Sequence, residues 1–186
     1  GVNAYRFSRL KGDVLWTADK LLVDNATASL YGGDTRFSYL MLLGQNGART
    51  QNTFDAAYRN VDLKTFSDFL QLDGLRVAGR ATGHNLLQWP LGLWSEHHGN
   101  GSVHFSAPDN VSLMTKDLPV AAIEQRYARP RAFGPFTAQL PEEPVPIGGD
   151  IIYRFDRDAI EIDASHIATP DTYVEMEGHT AYGEQS

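Results

Sequence analysis

The 186-residue chain contains no cysteine. That excludes disulfides, thiolate metal sites and cysteine nucleophiles. No apolar run reaches the roughly 18 residues that a membrane-crossing helix needs. No signal-peptide pattern opens the sequence, which begins Gly1-Val2-Asn3 rather than with Met. Such a start is expected of a fragment, or of a processed product that has lost a targeting segment. Positive charge is scarce: 16 Lys and Arg stand against 23 Asp and Glu, for a formal net charge of -7. No basic cluster compensates, and the densest stretch, Arg126, Arg129 and Arg131, is broken by proline. Nucleic acid is therefore excluded as a main partner, because phosphate binding needs a basic face. Nucleophile elbows of the Gly-x-Ser-x-Gly type are also missing. The Gly32-Gly33 and Gly148-Gly149 pairs precede no helix pattern and so read as turns rather than phosphate cradles.

What the chain has is period-2 alternation, the mark of strands with two unlike faces. Val14, Trp16 and Ala18 share one face. Leu21 and Val23 share another, opposed by Leu22. The strongest strand pattern runs from Thr35 to Leu43. Phe37, Tyr39, Met41 and Leu43 fall on one side, and Leu40 and Leu42 make the far end of the other side apolar too. A strand apolar on both sides is expected to be covered on both. Phe54, Ala56 and Tyr58 alternate again. The period then lengthens: Asp62 is placed to cap a short helix near 62–70 carrying Leu63, Phe66, Phe69 and Leu70, closed by Asp73-Gly74. A strand from Leu75 to Gly83 follows, carrying Val77 and bent at its glycines.

Residues 84–101 suggest an aromatic-rich loop containing Trp89 and Trp94, with Gly99-Asn100-Gly101 as a strand-joining turn. Val103 with Phe105, and Val111 with Leu113, suggest two more strands. Most prolines fall between 117 and 147, a pattern expected of an extended connector. The last segment alternates cleanly through Ile151, Tyr153 and Phe155, then Ile160, Ile162 and Ala164, then Thr172, Val174 and Met176. The organisation expected is thus a β segment over 1–116 with one short helix, a connector over 117–147, and a second β unit over 148–186.

The two ends resemble each other. Gly12-Asp13-Val14-Leu15-Trp16 aligns with Gly149-Asp150-Ile151-Ile152-Tyr153. Leu21 to Asp24 aligns with Ile160 to Asp163 after a two-residue shift, and Asp34-Thr35 aligns with Asp171-Thr172. A strand-turn-strand unit used twice is the expectation, with chance likeness of two amphipathic hairpins as the alternative.

Other constellations are weak. His97-His98 with His104 and Glu96 suggests a metal site, but adjacent strand residues point to opposite faces. Asp13, Asp150, Asp156, Asp158 and Asp163 fall at strand starts and turns, where Asp is locally favoured. Neither a catalytic nor a metal-binding residue is assigned, and no cofactor is expected. Trp89, Trp94 and Phe105 near His84 and His97 could serve as a sugar-stacking platform. That keeps open a β-sandwich carbohydrate-binding or adhesion module and, more remotely, a carbohydrate-active enzyme.

Four stretches carry a family resemblance: Leu10 to Trp16 with Leu22 to Ala26; Leu30-Tyr31-Gly32-Gly33-Asp34-Thr35; Val61 to Phe66 with Gly74 to Gly83; and Ala168 to Gly178. In order they resemble the AsmA-like superfamily, specifically the C-terminal β-repeat region of TamB-type translocation and assembly modules. Residues 89–105 and the proline-rich stretch have no match in that pattern. The resemblance implies a mostly β fold: an elongated, folded-over antiparallel or mixed sheet, taco-like or sandwich-like, with an apolar groove. It also implies a non-enzymatic periplasmic segment of an inner-membrane-anchored parent. Its function would be phospholipid transport between membranes and assembly or secretion of outer-membrane proteins. The partners implied are phospholipid acyl chains and an outer-membrane β-barrel assembly protein. The groove candidates are Val14, Trp16, Phe37, Tyr39, Met41, Leu43, Val77, Ile151, Tyr153, Ile162, Val174 and Met176. Whether such faces line an open groove or meet in a closed core is left open by periodicity alone.

Overall fold

The computed structural model describes residues 7–70, 76–116 and 144–181. The chain is mostly β, with one short helix. Nine strands form one antiparallel sheet: β1 (Phe7–Trp16), β2 (Lys20–Leu30), β3 (Gly33–Leu42), β4 (Gln51–Asp62), β6 (Arg80–Pro90), β7 (His98–Ser106), β9 (Gly148–Phe155), β10 (Ala159–Ala168) and β11 (Tyr173–Ala181). They stand side by side in chain order, so β1 and β11 are the two edges and the sheet is not a closed barrel. The strands from 148 onward continue the same sheet through β7–β9 pairing. The connector region lies outside the described residues except for 144–147. There Val145–Pro146 forms β8, which pairs in parallel with β5 (Val77–Ala78).

Local chemistry accounts for the turns and breaks. Tyr31 and Gly32, both at positive φ, make the two-residue turn from β2 to β3. β2 bulges between Val23 and Ala26, where Asn25 takes φ 51°. The expected strand over 75–83 is broken at Gly79, whose φ is 132°, into β5 and β6. Its first residue and the helix-closing Asp73-Gly74 lie outside the described residues.

The helix α1 (Leu63–Leu70) starts where Asp62 caps it, the carboxylate accepting from the Thr65 amide at 2.8 Å and the Thr65 hydroxyl at 2.7 Å. These bonds hold the Asp62 carboxyl below the usual carboxylate range. Its apolar side lies on one end of the sheet. Val61, Leu63 and Ala81 are buried there against Leu30, Tyr31, Tyr58, Phe66, Val77, Val103, Phe105 and Ile147. Tyr31 packs its ring on Phe66 and Phe69, at 5.4 and 5.1 Å between centroids.

Three local expectations are corrected. Trp89-Pro90 ends strand β6 rather than lying in a loop, so the loop shortens to 91–97. Val111 to Leu113 is not a strand. Gly99-Asn100-Gly101 is not a turn but lies inside β7. Those glycines have a packing cause. A Cβ on Gly101 would meet the Tyr153 ring at 2.7 Å and Asn85 Oδ1 closer still, and one on Gly99 would meet the Phe155 ring at 2.8 Å and the Leu86 carbonyl closer still. Each is the direct cross-strand partner of the residue whose ring covers it. Tyr58 covers Gly83, its partner across β4–β6, in the same way. Glycine is there to admit close neighbouring-strand carbonyls and a reclining aromatic ring, not to turn the chain.

Candidate functional site

Following the register from strand to strand separates the sheet into two unlike faces, since directly paired residues project to the same side. One face carries Val14 and Trp16 of β1; Leu21, Val23, Ala26 and Ala28 of β2; and Phe37, Tyr39 and Met41 of β3. It continues through Phe54, Ala56 and Tyr58 of β4, Leu87 and Trp89 of β6, and Val103 and Phe105 of β7. It ends with Ile151, Tyr153 and Phe155 of β9, Ile160, Ile162 and Ile167 of β10, and Val174 and Met176 of β11. All nine strands contribute apolar side chains to this face, and Thr35, Asn52, Asn85 and Ser165 stand among them.

Ten of the twelve sequence-predicted groove residues share this face: Val14, Trp16, Phe37, Tyr39, Met41, Ile151, Tyr153, Ile162, Val174 and Met176. The other two stand apart from it. Leu43 lies just beyond the end of β3, its amide bonded to the Asp19 carbonyl at 2.8 Å. Val77 belongs to β5 and packs into the helix cluster. The alternation rule also reaches Leu21, Val23 and Phe155. Trp89 escaped it because the adjoining proline and glycines resembled a loop.

Aromatic rings pack both across and along the strands of this face. Phe37 and Phe54 are 5.4 Å apart, Tyr39 and Trp89 6.2 Å, and Tyr153 and Phe155 6.2 Å. Most of its polar groups are hydrogen-bonded within the sheet, whereas the Tyr31 hydroxyl, buried beneath α1, has no partner among the described residues. Tyr39 donates to Asn52 Oδ1 at 2.7 Å, and the Asn52 amide, 1% exposed, donates to the Trp89 carbonyl at 3.2 Å. The Tyr153 hydroxyl donates to Asn85, which also bonds Tyr58. Burial pushes the Tyr58 phenol up to about 12, with the neighbouring Tyr153 adding to the rise and the Asn85 bond opposing it. Burial raises Tyr39 and Tyr153 as well.

Coverage of this face is unequal. Beneath α1 it is closed. Elsewhere the large side chains stay partly exposed, and Asn52 is the only sizeable side chain fully buried among the described residues. Trp16 is 72% exposed and Trp94, in the 91–97 loop, 57%.

The opposite face is ion-paired over much of its area, with an apolar row of Leu15, Leu22 and Leu40 at one end. His84 meets Asp55 at 2.7 Å, His104 meets Asp150 at 2.8 Å, and Arg154 meets Glu161 at 3.1 Å and Asp163 at 3.2 Å. All are exposed, so each contributes little stability. Among the described residues no group of three His, Asp or Glu side chains is arranged to hold a metal ion. His97 stacks on Trp94 at 5.0 Å, apart from the His104–Asp150 pair. Asp156 accepts from the Asp158 and Ala159 amides at 2.8 and 2.9 Å, which ties it into the β9–β10 turn and keeps its carboxyl low. A shallow recess of about 430 Å³ at β10–β11, lined by Ala164, Ser165, His166, Tyr173, Glu175, Met176 and Glu177, is mostly polar. No described helix is long and apolar enough to cross a membrane.

Comparison of the chain with family models, with curated proteins and with solved structures gives no match.

Proposed function

We propose that the chain is a non-enzymatic, lipid-handling β segment of the AsmA/TamB type, its apolar sheet face serving as a groove for phospholipid acyl chains. The observation that carries this reading is a largely apolar face to which all nine strands contribute, capped by α1 at one end and partly exposed along the rest. An acyl chain needs a continuous apolar surface and offers no hydrogen bonds. This face supports the reading on both counts, because apolar side chains stand on every strand and most of its polar groups are hydrogen-bonded within the sheet. In this reading the segment works in the periplasm, within a parent protein anchored in the inner membrane. Its task is to move phospholipid toward the outer membrane, and an outer-membrane β-barrel assembly protein is its protein partner.

Native mass spectrometry of the purified chain, with solvent extraction, tests the reading. Co-purifying phospholipid is expected, with loss of the adduct in Met41→Arg and Val174→Arg while both variants stay folded. A chain free of lipid that binds glycans on an array would replace this reading with the carbohydrate-binding module, for which Trp94 and its stacked partner His97 would be the platform.

A further inference from the structure

The outer strands repeat in three dimensions at a constant offset of 139 residues. Leu21 pairs with Trp16 and Met41, while Ile160 pairs with Phe155 and Thr180. Ala26 pairs with Phe37, while Ser165 pairs with Met176. The hairpin turns agree as well: the Thr17 amide bonds the Lys20 carbonyl at 2.9 Å, and the Asp156 amide bonds the Ala159 carbonyl at 3.0 Å. β1–β2–β3 and β9–β10–β11 are therefore one unit used twice, in a register two residues away from the alignment that the Gly-Asp pairs suggest. In this register Val14 of the first copy stands where Tyr153 stands in the second: Val14 pairs with Val23, and Tyr153 pairs with Ile162. The unit forms with valine at that place, so its strand pairing does not require the Tyr153 hydroxyl.

The hydroxyl belongs instead to a polar group at the middle of the apolar face. Tyr153 reclines over Gly101 and Tyr58 over Gly83. The two tyrosines meet at Asn85 on β6, the fifth of the nine strands. The Tyr153 hydroxyl donates to Asn85 Oδ1, and Asn85 also bonds Tyr58. Each phenol brings one polar hydrogen and the amide brings two. The two bonds use two of these four, whichever way the Asn85–Tyr58 bond runs. Two donor hydrogens are left with no acceptor among the described residues.

Access separates this group from the other asparagine of the face. Asn52 is 1% exposed, and its amide ends on the Trp89 carbonyl. Asn85 and both phenols stay partly exposed. The direct cross-strand partners of Asn85 are Ala56 and Gly101, which are too small to cover it. No charged side chain of β4, β6, β7 or β9 shares this face among the described residues. Such a place suits a neutral acceptor carried on an apolar molecule. An anionic headgroup would lie there without a counter-charge. The ester carbonyls of a diacyl phospholipid, at the root of its acyl chains, have the required chemistry.

We infer that the Tyr58–Asn85–Tyr153 group is the polar anchor of the groove, donating to an ester carbonyl of the bound phospholipid and so favouring ester-linked over ether-linked lipid. The inference rests on the lipid reading above, and names the part of the lipid that is recognised and the residues that recognise it.

The test offers the purified chain an equimolar mixture of a diacyl phosphatidylcholine and its dialkyl ether analogue of equal chain length. Native mass spectrometry reads the ratio of the two adducts. The parent chain should hold the ester lipid in about fivefold excess, the worth of one neutral hydrogen bond. In Asn85→Leu, with folding checked by circular dichroism, the ratio should fall to about one. Tyr153→Phe should give an intermediate ratio, and it decides the matter if Asn85→Leu does not fold. Equal adducts on the parent chain would overturn the anchor and leave the lipid reading standing. So would an undiminished ester preference in folded Asn85→Leu or, failing that variant, in Tyr153→Phe. Binding of neither lipid would overturn both.

Discussion

The two ends of the apolar face are built from the same kinds of residue and differ in what covers them. At one end Val61, Leu63 and Ala81 are shut beneath α1. At the other, Met41 and Tyr39 lie on the same sheet with no α-helix over them among the described residues, and Trp94 reaches only the Trp89 ring beside Tyr39. The alternation pattern is equally strong in both regions. What separates a core from an open surface here is a single two-turn helix set down by the Asp62 cap. A period-2 strand specifies which way a side chain faces, and the connection that follows the strand decides whether anything meets it.

Charge substitution should break this contrast most visibly. Leu63→Arg places an unpaired charge in the closed end and should cost roughly 4 kcal/mol or more, enough to lose cooperative unfolding in a thermal melt. Met41→Arg should cost under about 1.5 kcal/mol, because a long side chain on an open face carries its charge out to water. Equal destabilisation by the two would mean that the far end is closed as well.

A second test uses alkali. Tyr58 is protonated in the fold up to about 12, while the unfolded phenol ionises near its ordinary value of 10. The stability that depends on it is therefore complete below pH 10 and falls as pH rises from there through about 12. Denaturant titrations across that window should show the loss in the parent chain and a smaller one in Tyr58→Phe.

The cap gives the smallest effect. Asp62→Ala should cost about 1 kcal/mol. In the parent chain the cap's contribution is present above the ordinary carboxylate range and is lost as pH falls through the lowered Asp62 value. Hydrogen exchange should show faster exchange of the α1 amides in the variant while the far strands are unchanged.

Much of this was legible in the sequence, in a specific way. Alternation in Phe37-Tyr39-Met41 and Ile151-Tyr153 identified the strands and the shared face. Asp62 followed by Leu63 and Phe66 identified the helix. Alternation misplaces Val77 because it names a side of a strand but not the sheet that the strand joins. Gly99 and Gly101 resemble a turn in the sequence because the contacts that require glycine come from distant residues: the Leu86 carbonyl and the rings of Tyr153 and Phe155. The repeat was visible, but its register was not. The Gly-Asp pairs drew the alignment, while the equal hairpin turns set the true offset.

The central claim is that one face of the sheet, and not the other, meets lipid. A photo-crosslinking amino acid can be placed at Met41 or Ile151, on the apolar face, and at their neighbours Leu40 or Ile152, on the opposite face. After illumination with phospholipid vesicles, lipid adducts are predicted at Met41 and Ile151 and not at Leu40 and Ile152. Equal labelling of both faces, or none on either, would contradict the account.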